Sequence, residues 1–416
     1  MPRVYVALPV LKENDYLPRL LKCISDQTFR DFELFICVNQ PDEWWDDPEK
    51  AIICHENQKT LDYLNSIGGI RMVVVDKCSK GKGWTGKRHG VGWARKTLMD
   101  AINSIANDND IIISVDADTT FRENYFKSIA DTFLRFPDAT GLVVPYFHKP
   151  VKDENAYRAI LRYEIYMRHY SINLWRISSP YTFTALGSAI ACPLWAYRLV
   201  GGMTPKMSGE DFYFLQKLRK TGRLIFWNPE KVYPEARFSD RVYFGTGPAM
   251  IKGNQGDWSS YPIYPWYFFD EIKETCELFP AFFKKSQPTK VTEFLRLQCK
   301  EEDPFEPLRK NFHLENQFIR ACHEKFDGLR VLQYLKSRLK EEPVEDEKSL
   351  ADFLLRFYPE TASSSVPLPG RQAGVSSSRR GEGIFSFEHS SLYELENIRM
   401  FLFRKEEEYQ VTSIHG

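Results

Sequence analysis

Apolar residues follow two rhythms along the first 145 positions. Short β-branched runs alternate with stretches in which apolar residues recur every three or four positions. Val4 to Leu8 predicts a strand, and Leu17, Leu20, Leu21 and Ile24 then fall on one face of a helix. Phe32 to Val38 predicts a second strand, residues 49 to 66 a helix ending at Gly68-Gly69, and Met72 to Val75 a third strand. A stripe of Ala94, Leu98, Ala101, Ile102 and Ile105 marks the next helix. Ile111 to Val115 is apolar apart from one serine, as in a strand buried on both faces. A helix over 122 to 136 and a strand over Gly141 to Val144 complete the series. The pattern predicts an α/β fold with an open, mostly parallel sheet and flanking helices, whose ligands bind beyond the carboxyl ends of the strands.

Farther on, residues 153 to 175 predict a helix rich in Tyr and Arg, Ser188 to Cys192 a strand, and 210 to 221 a helix stopped by Gly222. Residues 237 to 260 hold four glycines with little periodicity and are expected to form a mobile loop. The chain then turns mainly helical from 266 to about 357. Half of the residues between 361 and 384 are Ser, Gly or Pro, too little apolar surface to offset the entropy of ordering. Leu392 to Glu408 predicts a last helix. These patterns divide the chain into a catalytic-sized domain over 1–260, a helical region over 261–358, a disordered linker over 359–384 and a terminal segment over 385–416.

Composition narrows the class. The 416 residues carry 56 Lys plus Arg against 56 Asp plus Glu, so no overall field favours nucleic acid or an anionic membrane. A hydrophobic content of 43% excludes global disorder, while no apolar run approaches the roughly 18 residues of a membrane span. No basic start followed by a long apolar stretch marks a secretory signal. Eight cysteines are dispersed without a closely spaced pair, as expected for reduced thiols in a cytoplasmic chain rather than a disulfide or zinc framework.

Three segments carry candidate chemistry. Lys80 to Arg88 places glycines at 81, 83 and 86 before a helix. Arg88 stands where a P-loop needs Ser or Thr for Mg²⁺, and a dinucleotide fingerprint should turn directly off the first strand. What remains is a cationic loop suited to hold a diphosphate through backbone N–H groups, Lys87 and Arg88, or a plain solvated surface loop. Asp116-Ala117-Asp118 follows the apolar strand. If the stretch is extended, both carboxylates reach one locus, where a divalent cation such as Mn²⁺ or Mg²⁺ relieves their repulsion. The same residues with Thr119 fit the opening of a haloacid-dehalogenase-like phosphatase, but no matching second acidic motif follows. Glu210 and Asp211 open a helix, where the macrodipole favours acids as caps and where one of them can serve as a general base.

Taken in order, Pro9 to Glu13, Gln27-Thr28-Phe29, Glu33 to Val38, Asp116-Ala117-Asp118, and Gly201-Gly202 before Gly209-Glu210-Asp211 make residues 1 to 235 resemble glycosyltransferase family 2. The resemblance implies the A-type glycosyltransferase fold, a nucleotide-diphosphate sugar donor, a divalent metal and a sugar or lipid-linked glycan acceptor. By that likeness Asp116 and Asp118 contact donor ribose and metal, Asp211 is the base with Glu210 beside it, and Pro9, Glu13 and Asn39 line the nucleotide pocket. Two positions depart from the family pattern. Asn39 stands where an acid often follows the second strand, and Arg88-His89 replaces the Arg-Asn that commonly opens the third helix.

The expected reaction is inverting transfer. Lys87, Arg88, Arg241 and Lys252 are candidates to add charge near the leaving diphosphate, and the stretch 245 to 256 to close over the donor. Retaining transfer and a nonenzymatic glycan-binding or assembly subunit on a decayed transferase fold stay open as alternatives. His148 is set aside as a loop residue rather than a ligand. The aromatic stretch Tyr261 to Lys285 leaves peripheral contact at the cytoplasmic membrane face open, although its acids favour an ordinary packed helix.

Overall fold

The computed structural model describes residues 1–240, 245–359 and 385–415. The expected linker over 359–384 and the candidate Arg241 fall almost wholly or wholly outside these. Two compact units form. One comprises Met1–Ile160, Phe183–Gly256 and Gln410–Gly416, the other Leu161–Thr182 and Asp257–Tyr409.

The first unit runs β1 (Val4–Val10), α1 (Leu17–Ser25), β2 (Phe32–Asn39), α2 (Pro48–Ser66), β3 (Met72–Lys77), α3 (Val91–Asn103), β4 (Ile111–Ser114), α4 (Tyr125–Arg135), β5 (Ala139–Val143) and the start of α5 (Glu154–Arg176). After these come β6 (Ile190–Pro193), α6 (Leu194–Leu199), α7 (Glu210–Thr221), β7 (Arg223–Phe226) and α8 (Thr246–Asn254). Seven strands make one sheet in the order β3-β2-β1-β4-β6-β5-β7. The β1 side is parallel, as the alternation of strands and helices predicts, and β1 and β4 are buried along their whole lengths. Burial of successive residues, which point to opposite faces, is why the runs are apolar rather than alternating.

β6 departs from the parallel rule. It lies antiparallel between β4 and β5, with Ser114 opposite Ile190, so the residues leading into β6 sit where β4 ends. β7 escapes the sequence pattern because it is only four residues long and follows directly on Gly222. α8 occupies part of the stretch expected to be a mobile loop. There Gly247 serves close packing instead: a Cβ on it would lie 2.4 Å from the Ser239 carbonyl oxygen.

The second unit, apart from the later turns of α5, comprises α9 (Trp266–Glu277), α10 (Phe279–Phe282), α11 (Lys290–Cys299), α12 (Glu306–Asn311), α13 (Glu315–Lys325), α14 (Gly328–Glu341), α15 (Asp346–Phe357) and α16 (Leu392–His415) as far as Tyr409. Phe268, Phe269, Phe279 and Phe282 are buried together in its core, so these aromatics of the 261–285 stretch face inward. Arg168 is buried with Glu164 and Glu406, each 2.7 Å away, which meets the requirement that a charge removed from water be paired. No described helix is long and apolar enough to cross a membrane.

Candidate active site

The site begins where β4 ends. Asp116-Ala117-Asp118 forms a turn rather than an extended stretch, so the two carboxylates do not share one partner as simple alternation would have it. Each meets a different arginine.

Asp116 pairs with Arg95 of α3, and the same guanidinium pairs with Glu210 at the start of α7. Three glycines permit this. A Cβ on Gly92 would lie 2.2 Å from the Lys206 carbonyl oxygen and one on Gly90 3.1 Å from that of Met207, so the first turn of α3 rests on the chain leading into α7. A Cβ on Gly187 would fall 2.1 Å from Arg95 Nη2, so the backbone entering β6 covers the guanidinium. Arg95 is thus buried between two acids, in the fork geometry that suits arginine better than lysine. Burial pushes the Glu210 carboxyl up to about 7 against the pull of Arg95. Asp211, next along the helix, is also raised by burial and accepts the N–H of Phe212 at 2.8 Å. The two acidic pairs, far apart in sequence, therefore meet at one locus.

Asp118 faces Arg237. Nη2 of Arg237 lies 2.8 Å from Asp118 Oδ2 and 2.8 Å from both carboxylate oxygens of Glu13, and its guanidinium stacks 4.1 Å over the Tyr16 ring. Glu13 is buried, reached through Lys12, a non-glycine residue held at φ 55° by an N–H bond of 2.9 Å to Asn57 Oδ1. Such a backbone conformation is disfavoured for a residue with a Cβ and persists because its surroundings hold it. The Asp118 carboxyl is raised by burial, with Arg237 and His148 opposing and Asp116 adding to the rise, so the two aspartates still feel each other.

On the far side of β1, Pro9 is buried within the strand and Asn39 ends β2. The Asn39 amide donates to the Val10 carbonyl at 2.9 Å and accepts the Trp84 indole N–H at 3.1 Å, so both its ends hold the wall together. The glycine loop is anchored here too. Asp42 Oδ1 accepts the N–H groups of Gly81 at 2.8 Å and Gly83 at 3.3 Å. Those amides, expected from sequence to cradle a diphosphate, are already taken by a carboxylate. Lys87 and Arg88 stand exposed ahead of α3 and form no hydrogen bond or ion pair with a described residue. It is Arg95, within α3, that reaches the acids. Lys252 is exposed on α8.

Sequence reasoning missed Arg95 and Arg237. Arg95 carried a signal, a cation embedded between Ala94 and Leu98 on an apolar stripe. Arg237 lies in a segment without periodicity and carried none. Among the described residues no group of three or more His, Cys, Asp or Glu side chains forms a closed metal site. Hard cations in nucleotide sites need only one or two carboxylates beside phosphate oxygens, and the partly exposed carboxylates of Asp118 and Asp116 suit that chemistry.

Residues 111–247 match the model of glycosyl transferase family group 2. That segment contains Asp116, Asp118, Gly187, Glu210, Asp211 and Arg237. Over that segment, about a third of the chain, the protein is similar to family 2 glycosyltransferases, enzymes that transfer sugars. No curated protein matches it. Among solved structures it is similar to S. aureus TarS 1-349 in complex with UDP, at 12% identity and TM-score 0.39 over 82% of this chain and 92% of that one. It is also similar to the mannosyltransferase PcManGT from Pyrobaculum calidifontis in complex with GDP-Man and Mn2+, at 14% identity and TM-score 0.34 over 87% and 83%. At such scores the assignment rests on the matched segment alone.

Proposed function

We propose that this domain transfers the sugar of a nucleoside-diphosphate donor to an acceptor hydroxyl, of a sugar or a lipid-linked glycan, with inversion at the anomeric carbon. One observation carries the reading: Arg95 joins Asp116, at the strand end, to Glu210, beside Asp211. A donor group and an acceptor hydroxyl can therefore be served from one cleft.

In this reading Pro9, Glu13 and Asn39 wall the nucleotide, Asp116 orients the ribose, and Asp118 with Asp116 holds Mn²⁺ or Mg²⁺. The metal, when bound, offsets the charge of the departing diphosphate. Lys87 and Arg88, whose charges no described acid compensates, are available to the same phosphates. Asp211 accepts the acceptor's proton as the new bond forms, and Glu210 keeps Asp211 and Arg95 in register. The eight cysteines are all unpaired, which supports a reducing, cytoplasmic setting.

Turnover of a panel of UDP, GDP, dTDP and CMP sugars by the native chain and Asp211→Asn tests this. The reading predicts that Asp211→Asn loses about 10²- to 10⁴-fold in kcat while still binding donor. Wild-type turnover by this variant would reject Asp211 as the base, and product NMR showing retained anomeric configuration would reject inversion.

A further inference from the structure

Three carboxylate oxygens, both of Glu13 and one of Asp118, lie 2.8 Å from a single nitrogen, Arg237 Nη2. A guanidinium ordinarily meets carboxylates through two parallel N–H groups. Here Arg237 Nε is buried without a hydrogen-bond partner, and Nη2 alone makes all three contacts. The oxygens converge on a point, an arrangement that suits a compact cation better than a planar fork. Tyr16 holds the guanidinium from one face through its ring.

We propose that Arg237 is a built-in cation that competes with the divalent metal for Asp118, with Glu13 completing the set of oxygens. The proposal deepens the metal role assigned to Asp118 and rests on that reading. Without donor, Arg237 offsets part of the negative charge of Glu13 and Asp118 and keeps metal affinity low. A divalent metal on Asp118 would stand beside the guanidinium, and the repulsion between the two cations sets them in competition for that carboxylate. The arginine leaves Asp118 when metal arrives, and its positive charge then becomes free for another anion. Metal loading is thereby tied to the presence of donor phosphates, which supply the missing ligands and a counter-charge for the released arginine.

Titration with Mn²⁺ alone, followed by electron paramagnetic resonance without any donor, tests the idea. Arg237→Met is expected to bind Mn²⁺ at least about tenfold more tightly than the native chain, because the positive charge 2.8 Å from the Glu13 and Asp118 oxygens is removed. Tyr16→Ala, which keeps every charge and removes the ring under the guanidinium, is expected to shift affinity in the same direction by less. The gain in Arg237→Met should vanish in Arg237→Met with Asp118→Asn. Unchanged Mn²⁺ affinity in both single variants, or a gain that survives loss of Asp118, would overturn the proposal. Should Arg237→Met fail to fold, the Tyr16→Ala titration decides alone. Donor binding at saturating Mn²⁺ is a separate readout: its absence in every variant, with the Mn²⁺ differences intact, would count against the transferase reading and leave the competition standing.

Discussion

Gly187 lies flat against the Arg95 guanidinium, so close that a Cβ would fall 2.1 Å from Nη2 and 2.3 Å from Nη1. The strand that runs backwards through the sheet thus begins on top of the cation that joins the two acidic pairs. Gly187→Ala must push Arg95 away from Asp116, Glu210 or both. Overpacking of this kind costs about 1–3 kcal/mol, and denaturant unfolding should show it. Steady-state kinetics should show a larger fall in kcat than rise in KM, because the damage lies at the acids.

Arg95→Met removes the shared partner of two carboxylates in a buried setting. Loss of about 3–5 kcal/mol is expected, since breaking a buried pair leaves uncompensated charge. Arg95→Lys keeps the charge but cannot fork between Asp116 and Glu210, so it should unfold closer to native while turning over donor poorly. Unfolding midpoints and kcat measured on both variants separate the two effects.

Glu210 makes stability depend on pH in a definite direction. Its carboxyl lies near 7 in the folded chain against an ordinary 4.5, so between these values the folded chain keeps a proton that the unfolded chain has released. Stability from this group therefore falls as pH rises through that window and returns on acidification. Glu210→Gln lacks the proton exchange. The difference in Tm between native chain and variant should move in favour of the native chain from pH 7 to pH 5.

Asp211 is raised by the same burial, and as a base it works only when ionised. The acid limb of the rate profile should lie above the ordinary aspartate range, with turnover rising as pH rises through it. Asp211→Asn should remove that limb from whatever activity remains.

Trp84→Phe deletes the indole N–H that satisfies the buried Asn39 oxygen. A loss of about 1–3 kcal/mol is expected for an acceptor left unpaired, together with weaker donor binding as the wall loosens. Calorimetry with a nucleoside diphosphate reads the second effect.

Much of the parallel half of the sheet is legible in the sequence. Ile111 to Val115 and Val4 to Leu8 announce buried strands because nothing else tolerates such runs, and the observed strands begin at the same residues. The reversed β6 is not legible, since a short apolar strand reads the same in either direction. The site divides similarly. Asp116, Asp118, Glu210 and Asp211 stand out as acids at a strand end and a helix start. Their arginines do not, because an arginine is most often solvated surface and only the fold shows which ones are enclosed. Nor does motif spacing reveal that the amides of Gly81 and Gly83 meet Asp42, a partner about forty residues earlier in the chain.

With β6 reversed, the polypeptide comes into the cleft along one strand and goes out along its neighbour. The wall formed by Gly187 to Ala189 is therefore built from a different stretch of chain than the floor at Asp116 and Asp118. Evolution or an engineer can recast that wall as a separate cassette, changing what is admitted beside the acids, provided a residue without a side chain is kept over Arg95.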